Sequence, residues 1–292
     1  MPDQVKLLEY QSKPVPTPRK QFAQHWLKSE KALSSIVTAA ELKKTSADTS
    51  GDRVLEIGPG TGILTRQLLL QADSVVAVEI DRDLCELLIR KLGKVDNFLL
   101  LQEDFLTVDL PSMLAPMPEF QNPNKVVANI PYNITGPIIE KLLGTIACPA
   151  ENPFDSIVLL VQKEVALRLN AKPGSTNFGA LTVRVQYLAD CDFICDVSAK
   201  AFQPPPKVDS AVIRLRPRMF PTTANDPRFF ETLLKLGFGS KRKMLRNNLQ
   251  SLVDRDRLSQ LLETLGANPQ SRAEDLSVEQ WVLLSNQLVV DS

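Results

Sequence analysis

Val54-Leu55-Glu56-Ile57, followed at once by Gly58-Pro59-Gly60-Thr61-Gly62, constrains the fold of this chain more than any other stretch. A short, apolar, β-branched run reads as a buried strand of a parallel sheet. The three glycines let the backbone turn sharply and approach a ligand, and Ile63 to Leu69 then begins a helix. Ser74-Val75-Val76-Ala77-Val78-Glu79 reads as a second strand, ending in a carboxylate 21 positions beyond Gly58. Doubly wound α/β folds place there the acid that binds ribose hydroxyls. The loop lacks the G-x-G-x-x-G order of dinucleotide binders, which supports a cofactor without a pyrophosphate, such as S-adenosylmethionine. Taken alone, it leaves methyl transfer and nicotinamide chemistry equally open, beside a purely structural turn.

Two later stretches favour methyl transfer. Phe98-Leu99-Leu100-Leu101 reads as a third strand, followed by Gln102-Glu103-Asp104-Phe105. Asp104 suits an acceptor for an adenine amino group, with Phe105 packing on the ring; the plainer alternative is an Asp that caps a turn. Lys125-Val126-Val127-Ala128 reads as a fourth strand, with Asn129-Ile130-Pro131-Tyr132 at its C-terminal edge, where open α/β sheets bind ligands. The N6 amine of adenine is a poor nucleophile because its lone pair is delocalised into the ring. The Asn129 amide oxygen and the Ile130 carbonyl, restrained by Pro131, suit the two acceptors that would push density back to nitrogen. Tyr132 suits a stacking face for the base. The alternative is an Asn-x-Pro turn with a packed Tyr.

On these stretches the chain resembles the ribosomal RNA small-subunit adenine dimethyltransferases. The likeness covers nearly the whole sequence, from Pro18-Arg19-Lys20-Gln21-Phe22-Ala23-Gln24-His25-Trp26-Leu27 through the loops above. It continues in Phe202-Gln203-Pro204-Pro205-Pro206-Lys207-Val208-Asp209-Ser210 and ends in Gly239 to Leu249, expected to be helical. The glycine loop is shared by many methyltransferases; the Asn-Ile-Pro-Tyr and Phe-x-Pro-x-Pro-Lys-Val-Asp-Ser blocks are far more specific.

The resemblance implies an α/β Rossmann-like methyltransferase sheet, mostly parallel with an antiparallel last strand, and a smaller all-helical C-terminal domain. It implies S-adenosylmethionine as cofactor, held by His25, Leu27, Gly58, Glu79, Asp104 and Asn129. Asn129, Pro131, Tyr132 and Phe202 form the implied catalytic group, with Phe202 closing on a flipped base opposite Tyr132. The implied reaction converts two adjacent adenines in the 3′-terminal helix of small-subunit rRNA to N6,N6-dimethyladenines, late in subunit biogenesis. Ala23 stands where the family has Gly and Trp26 where it has Phe, which puts the conformation of this lid segment in question. His25, the one histidine, is expected to contact cofactor rather than move protons.

With 292 residues and 43% hydrophobic content, the chain suits a catalytic domain over 1–218 and a helical RNA-recognition domain over 219–292. No run approaches the ~20 apolar residues of a membrane helix. The start carries acids and no apolar signal region, so a cytoplasmic protein is expected. Cys85, Cys148, Cys191 and Cys195 lack metal-ligand spacing and are read as reduced core thiols. The expected partner is the small ribosomal subunit with its rRNA, met by a monomer without metal or membrane.

A net charge of zero weighs against an RNA partner, but charge is unevenly placed. Residues 228–246 hold six basic residues against Glu231, a local +5, and Lys241, Arg242, Lys243 and Arg246 are the expected RNA contacts. Arg214, Arg216 and Arg218 alternate along an expected last strand, either as a second basic edge or as a solvated surface. Two other readings stand beside the first. One is a large-subunit adenine methyltransferase conferring antibiotic resistance, disfavoured by the Lys-Arg-Lys block. The other is an assembly or transcription factor without turnover, disfavoured by Glu79, Asp104, Asn129 and Tyr132.

Overall fold

The computed structural model of the protein describes residues 16–19 and 24–290. Ala23 and the chain before Pro16 lie outside them. In chain order the strands are β1 (Trp26–Leu27), β2 (Arg53–Ile57), β3 (Ser74–Glu79), β4 (Phe98–Gln102), β5 (Lys125–Asn129), β6 (Ser156–Gln162), β7 (Ala189–Val197), β8 (Phe202–Gln203) and β9 (Ser210–Pro217). Seven form one sheet in the order β4-β3-β2-β5-β6-β9-β7, and β1 pairs with β8 separately. Strands β2 to β6 run parallel to one another, and β9 runs antiparallel to β6. From β2 the chain builds outward to β3 and β4, then returns to the other side of β2 for β5. The loops after β2 and β5 therefore diverge, and a crevice opens at their carboxyl ends.

Local chemistry explains this frame. All six residues of β3 are buried, as a strand covered on both faces requires. The helix Arg82–Leu92 starts where the Asp81 side chain accepts from Asp83 N at 3.0 Å. At Gly62, φ is +81°, and a Cβ would stand 2.8 Å from Leu88 Cδ2. Glycine there both makes the turn and lets two helices meet. Lys125, nearly buried at the start of β5, donates to Ala40 O (2.9 Å) and Glu41 O (2.7 Å) and pairs with Asp52 at 3.1 Å. Its charge is thereby satisfied at the C-terminus of the helix Glu30–Ala40.

The chain forms two compact units. One comprises the chain to Leu142 with Asn152–Ala166 and Asp192–Arg216; the other comprises Leu143–Glu151, Leu167–Cys191 and the chain from Pro217. The second unit is thus not one continuous piece of chain. Ile146 N donates to Glu231 Oε1 (3.0 Å) and Gly174 N to Glu274 O (2.7 Å), drawing the two earlier segments onto it. Its helices include Ala180–Leu188, Pro227–Gly237, Arg255–Thr264 and Val278–Val290. Trp281 is fully buried at its centre, stacked on Phe238 with Nε1 donating to Ala273 O. Ser277 and Gln280 cap the last helix reciprocally, at 2.9 and 3.1 Å.

Two expectations need correction. The stretch Gly239 to Leu249 is helical only over Leu245–Asn248. Asn248 Nδ2 donates to Gly237 O (2.6 Å) and Ser240 O (3.0 Å), so this side chain, together with Lys243 N donating to Ser240 O (3.0 Å), closes a turn around Lys241–Lys243. None of the four cysteines is in a disulfide, but only Cys85 is a core thiol: Cys148 is exposed, and Cys191 and Cys195 are half-buried. Among the described residues there is no cluster of three metal-ligating side chains, and no helix is long and apolar enough to cross a membrane.

Candidate active site

A cavity opens at the carboxyl ends of β2, β3 and β5. His25, Leu27, Gly58, Glu79, Asp104, Asn129, Pro131 and Tyr132 all line it. Phe202 does not: it is 1% exposed, pairs with Leu27 across β1 and β8, and belongs to the hydrophobic core. Asn129 Nδ2 donates to His25 O at 3.3 Å, which keeps the amide oxygen available as an acceptor. His25 Nδ1 lies 2.9 Å from Pro204 O, so this nitrogen carries the hydrogen, and the ring stacks on Tyr132 at 5.9 Å. Tyr132 OH meets Ser210 Oγ at 2.5 Å. Asp104 Oδ1 accepts from Leu106 N at 2.9 Å. It therefore caps a turn and lines the cavity at once.

Glu79 is buried, with Oε2 accepting from Gly60 N (3.2 Å) and Oε1 from Asp81 N (2.9 Å). Burial pushes its carboxyl above the usual range, partly offset by these N–H groups. Gly58 has φ +66°, and a Cβ there would meet no atom within 4 Å, so the turn leaves open space above it. Two polar atoms of the lining are buried without a partner, Trp26 Nε1 and Glu56 Oε2. Unpaired buried donors and acceptors are uncommon, and a polar ligand in this cavity would supply what they lack. Donors, carboxylates and glycine cradle together fit a nucleoside cofactor carrying an amino acid.

Glu56 also lines the cavity, and the sequence signal for it is a carboxylate inside an apolar strand. It is 1% exposed, and burial pushes its carboxyl up to about 8, with the Glu79 charge adding to the effect. The ligand-free protein therefore keeps this group protonated while the unfolded chain ionises it near pH 4.5. The stability it contributes is full below that pH and is lost as pH rises toward 8. Glu56→Gln is expected to melt several degrees higher than the wild type at pH 8 and close to it at pH 5. Parallel melting curves across this range would remove the assignment.

The basic residues divide into two sets. Arg214 pairs with Glu41 and Asp192, Arg216 with Asp192, and Arg218 with Asp190 while lying over Phe220. The alternating edge exists, but acids neutralise it. In the second unit Lys241 Nζ donates to Thr176 O (3.3 Å) and Phe178 O (3.2 Å). Arg242 and Lys243 are exposed, and Arg246 is half-buried.

The parallel sheet, glycine turn and carboxyl-edge cavity define an α/β methyltransferase. Solved structures agree: a dimethyladenosine transferase from Plasmodium falciparum matches at TM-score 0.72 and 29% identity, covering 89% of this chain and 96% of that one. The 23S rRNA methyltransferase ErmE matches at 0.69 and 29%, covering 90% and 99%. The model of the ribosomal RNA adenine dimethylases matches residues 16–289. Relatives named ribosomal RNA small subunit methyltransferase A are 70% identical in Nostoc punctiforme (94% of this chain, 96% of the relative) and 56% in Synechocystis (93% and 96%). The chain belongs to the ribosomal RNA adenine dimethylase family and is an rRNA adenine methyltransferase.

Proposed function

We propose that this enzyme transfers methyl groups from S-adenosylmethionine to N6 of two adjacent adenines in the 3′-terminal helix of small-subunit rRNA, late in subunit biogenesis. The observation that carries the chemistry is the meeting of Glu79, Asp104 and Asn129-Ile130-Pro131-Tyr132 around one cavity. Small-subunit choice is supported by the 70% identity to a relative of that name, against 29% to the 23S enzyme. The four retained side chains speak against a binding protein without turnover.

When bound, S-adenosylmethionine supplies a methyl group made electrophilic by its sulfonium. Glu79 accepts from the ribose hydroxyls, Asp104 from the adenine amino group, and Gly58 leaves room for the methionine part. His25 and Leu27 close over the cofactor. Asn129 Oδ1 and the Ile130 carbonyl accept the two N–H groups of the target amine, while Pro131 holds that carbonyl in place. Tyr132 stacks on an adenine taken out of its helix, because N6 is otherwise unreachable in line. Contact between Phe202 and that base requires the β1–β8 pair to open. No side chain has to remove a proton before attack, since the amine becomes acidic only as it is methylated.

Glu79→Ala is expected to weaken S-adenosylmethionine binding by ~1.5–3 kcal/mol, roughly ten- to a hundredfold, through loss of a charged acceptor. Calorimetry giving wild-type affinity would remove the ribose role. The whole reading is tested by incubating the enzyme with unmethylated small and large subunits and mapping products by mass spectrometry. Dimethyladenines in the 3′-terminal helix of the small subunit are expected. Modification of the large subunit instead would favour the antibiotic-resistance reading.

A further inference from the structure

We infer that the indole N–H of Trp26 donates to the carboxylate of the cofactor's amino-acid end, making Trp26 a positioning residue for the methyl donor. This rests on the reading of the cavity as an S-adenosylmethionine site. Trp26 lines the cavity, and its Nε1 is buried without a partner. Buried indole N–H groups ordinarily find one. The ring lies beside the second glycine of the turn. A Cβ at Gly60 would stand 3.4 Å from Trp26 Cδ1 and 3.6 Å from Nε1, so the bare glycine gives the indole its place. Its backbone is fixed by pairing with Gln203 and, two residues on, by Lys28 N donating to Ala201 O at 2.8 Å.

Several other polar side chains of the lining already have a partner within the protein. Gln24 Nε2 donates to Asp81 (2.9 Å), His25 Nδ1 to Pro204 O, and Asn129 Nδ2 to His25 O, while Tyr132 is engaged with Ser210. Thr61 is half-buried and Asn133 exposed, within reach of water. Glu79 and Asp104 repel an anion, so a carboxylate entering here needs a donor to offset them. With the ribose and purine at Glu79 and Asp104, the amino-acid end turns toward the glycine loop and Trp26. An indole nitrogen only donates and keeps its hydrogen at every working pH, which suits it to a carboxylate.

The test compares two ligands in the full chain by calorimetry: S-adenosylhomocysteine, and 5′-methylthioadenosine, which lacks the carboxylate and ammonium. Trp26→Phe keeps a ring and removes the N–H. It is expected to weaken S-adenosylhomocysteine about tenfold and to leave 5′-methylthioadenosine within twofold. Equal losses for both ligands would mean that only ring packing matters, and no loss for either would mean no bond; each overturns the inference. Should the variant fail to fold, the wild type still decides by nitrogen-15 spectra of its two tryptophans, Trp26 and Trp281. One indole signal is expected to move downfield with S-adenosylhomocysteine and stay with 5′-methylthioadenosine, and two unmoved signals would overturn the inference. A wild type that binds neither compound would instead overturn the cofactor reading, a result distinct from a wild type that binds both and a variant that matches it.

Discussion

Asn129→Ala is expected to slow adenine methylation by roughly 10²–10³-fold, the scale found when one preorganised polar partner of a transition state is removed. The side chain stands at the end of β5 with its Nδ2 held by His25 O, so its oxygen is oriented before substrate arrives. Alanine removes the acceptor that localises the amine lone pair, and it also releases the His25 backbone from β5. A moderate fall in S-adenosylmethionine affinity is therefore expected beside the larger fall in rate. Single-turnover methylation of small subunits at saturating cofactor separates the two. A variant that dimethylates at wild-type speed would remove Asn129 from the mechanism.

Replacing Arg242 and Lys243 together by Glu is expected to abolish methylation of small subunits while leaving S-adenosylmethionine affinity unchanged. Both are exposed on a turn closed by Asn248, and neither lines the cavity. Lys241 is left intact because its ammonium holds the carbonyls of Thr176 and Phe178, so its loss would disturb the second unit as well as any RNA contact. Wild-type binding to small subunits is expected to fall steeply with salt. The log–log salt dependence of the double variant's residual binding is expected to be shallower by about two, one for each phosphate no longer neutralised. Normal methylation by this variant at physiological salt would place recognition elsewhere. The neutralised Arg214, Arg216 and Arg218 are poor substitutes, since each already faces a carboxylate.

Much of the frame was legible in one dimension because its causes are local. Val54 to Ile57 and Ser74 to Glu79 read as buried parallel strands, and β2 and β3 occupy them. The Gly58-to-Gly62 turn followed from the backbone freedom of glycine. Gly239 to Leu249 departs from the expected helix. There the likeness implied a helix, but the Asn248 side-chain bonds to Gly237 O and Ser240 O hold a turn followed by one short helical segment. The Arg214 alternation was legible too; its acidic partners Glu41 and Asp192 are distant in sequence and were not.

By itself, then, the sequence determined the four strands β2 to β5 and the glycine turn, and which residue types stand at those strand ends. Those follow from propensity, hydrophobic period and turn chemistry within a few neighbours. Only the tertiary structure decided what lies beside what. The order β4-β3-β2-β5-β6-β9-β7 brings Glu79, Asp104 and Asn129 to one edge, and β1 meets β8 although Leu27 and Phe202 stand far apart along the chain. It also decided which polar atoms are left wanting. Glu56 and Trp26 are ordinary letters in the sequence, and their unpaired atoms exist only because the packed chain excludes water from them.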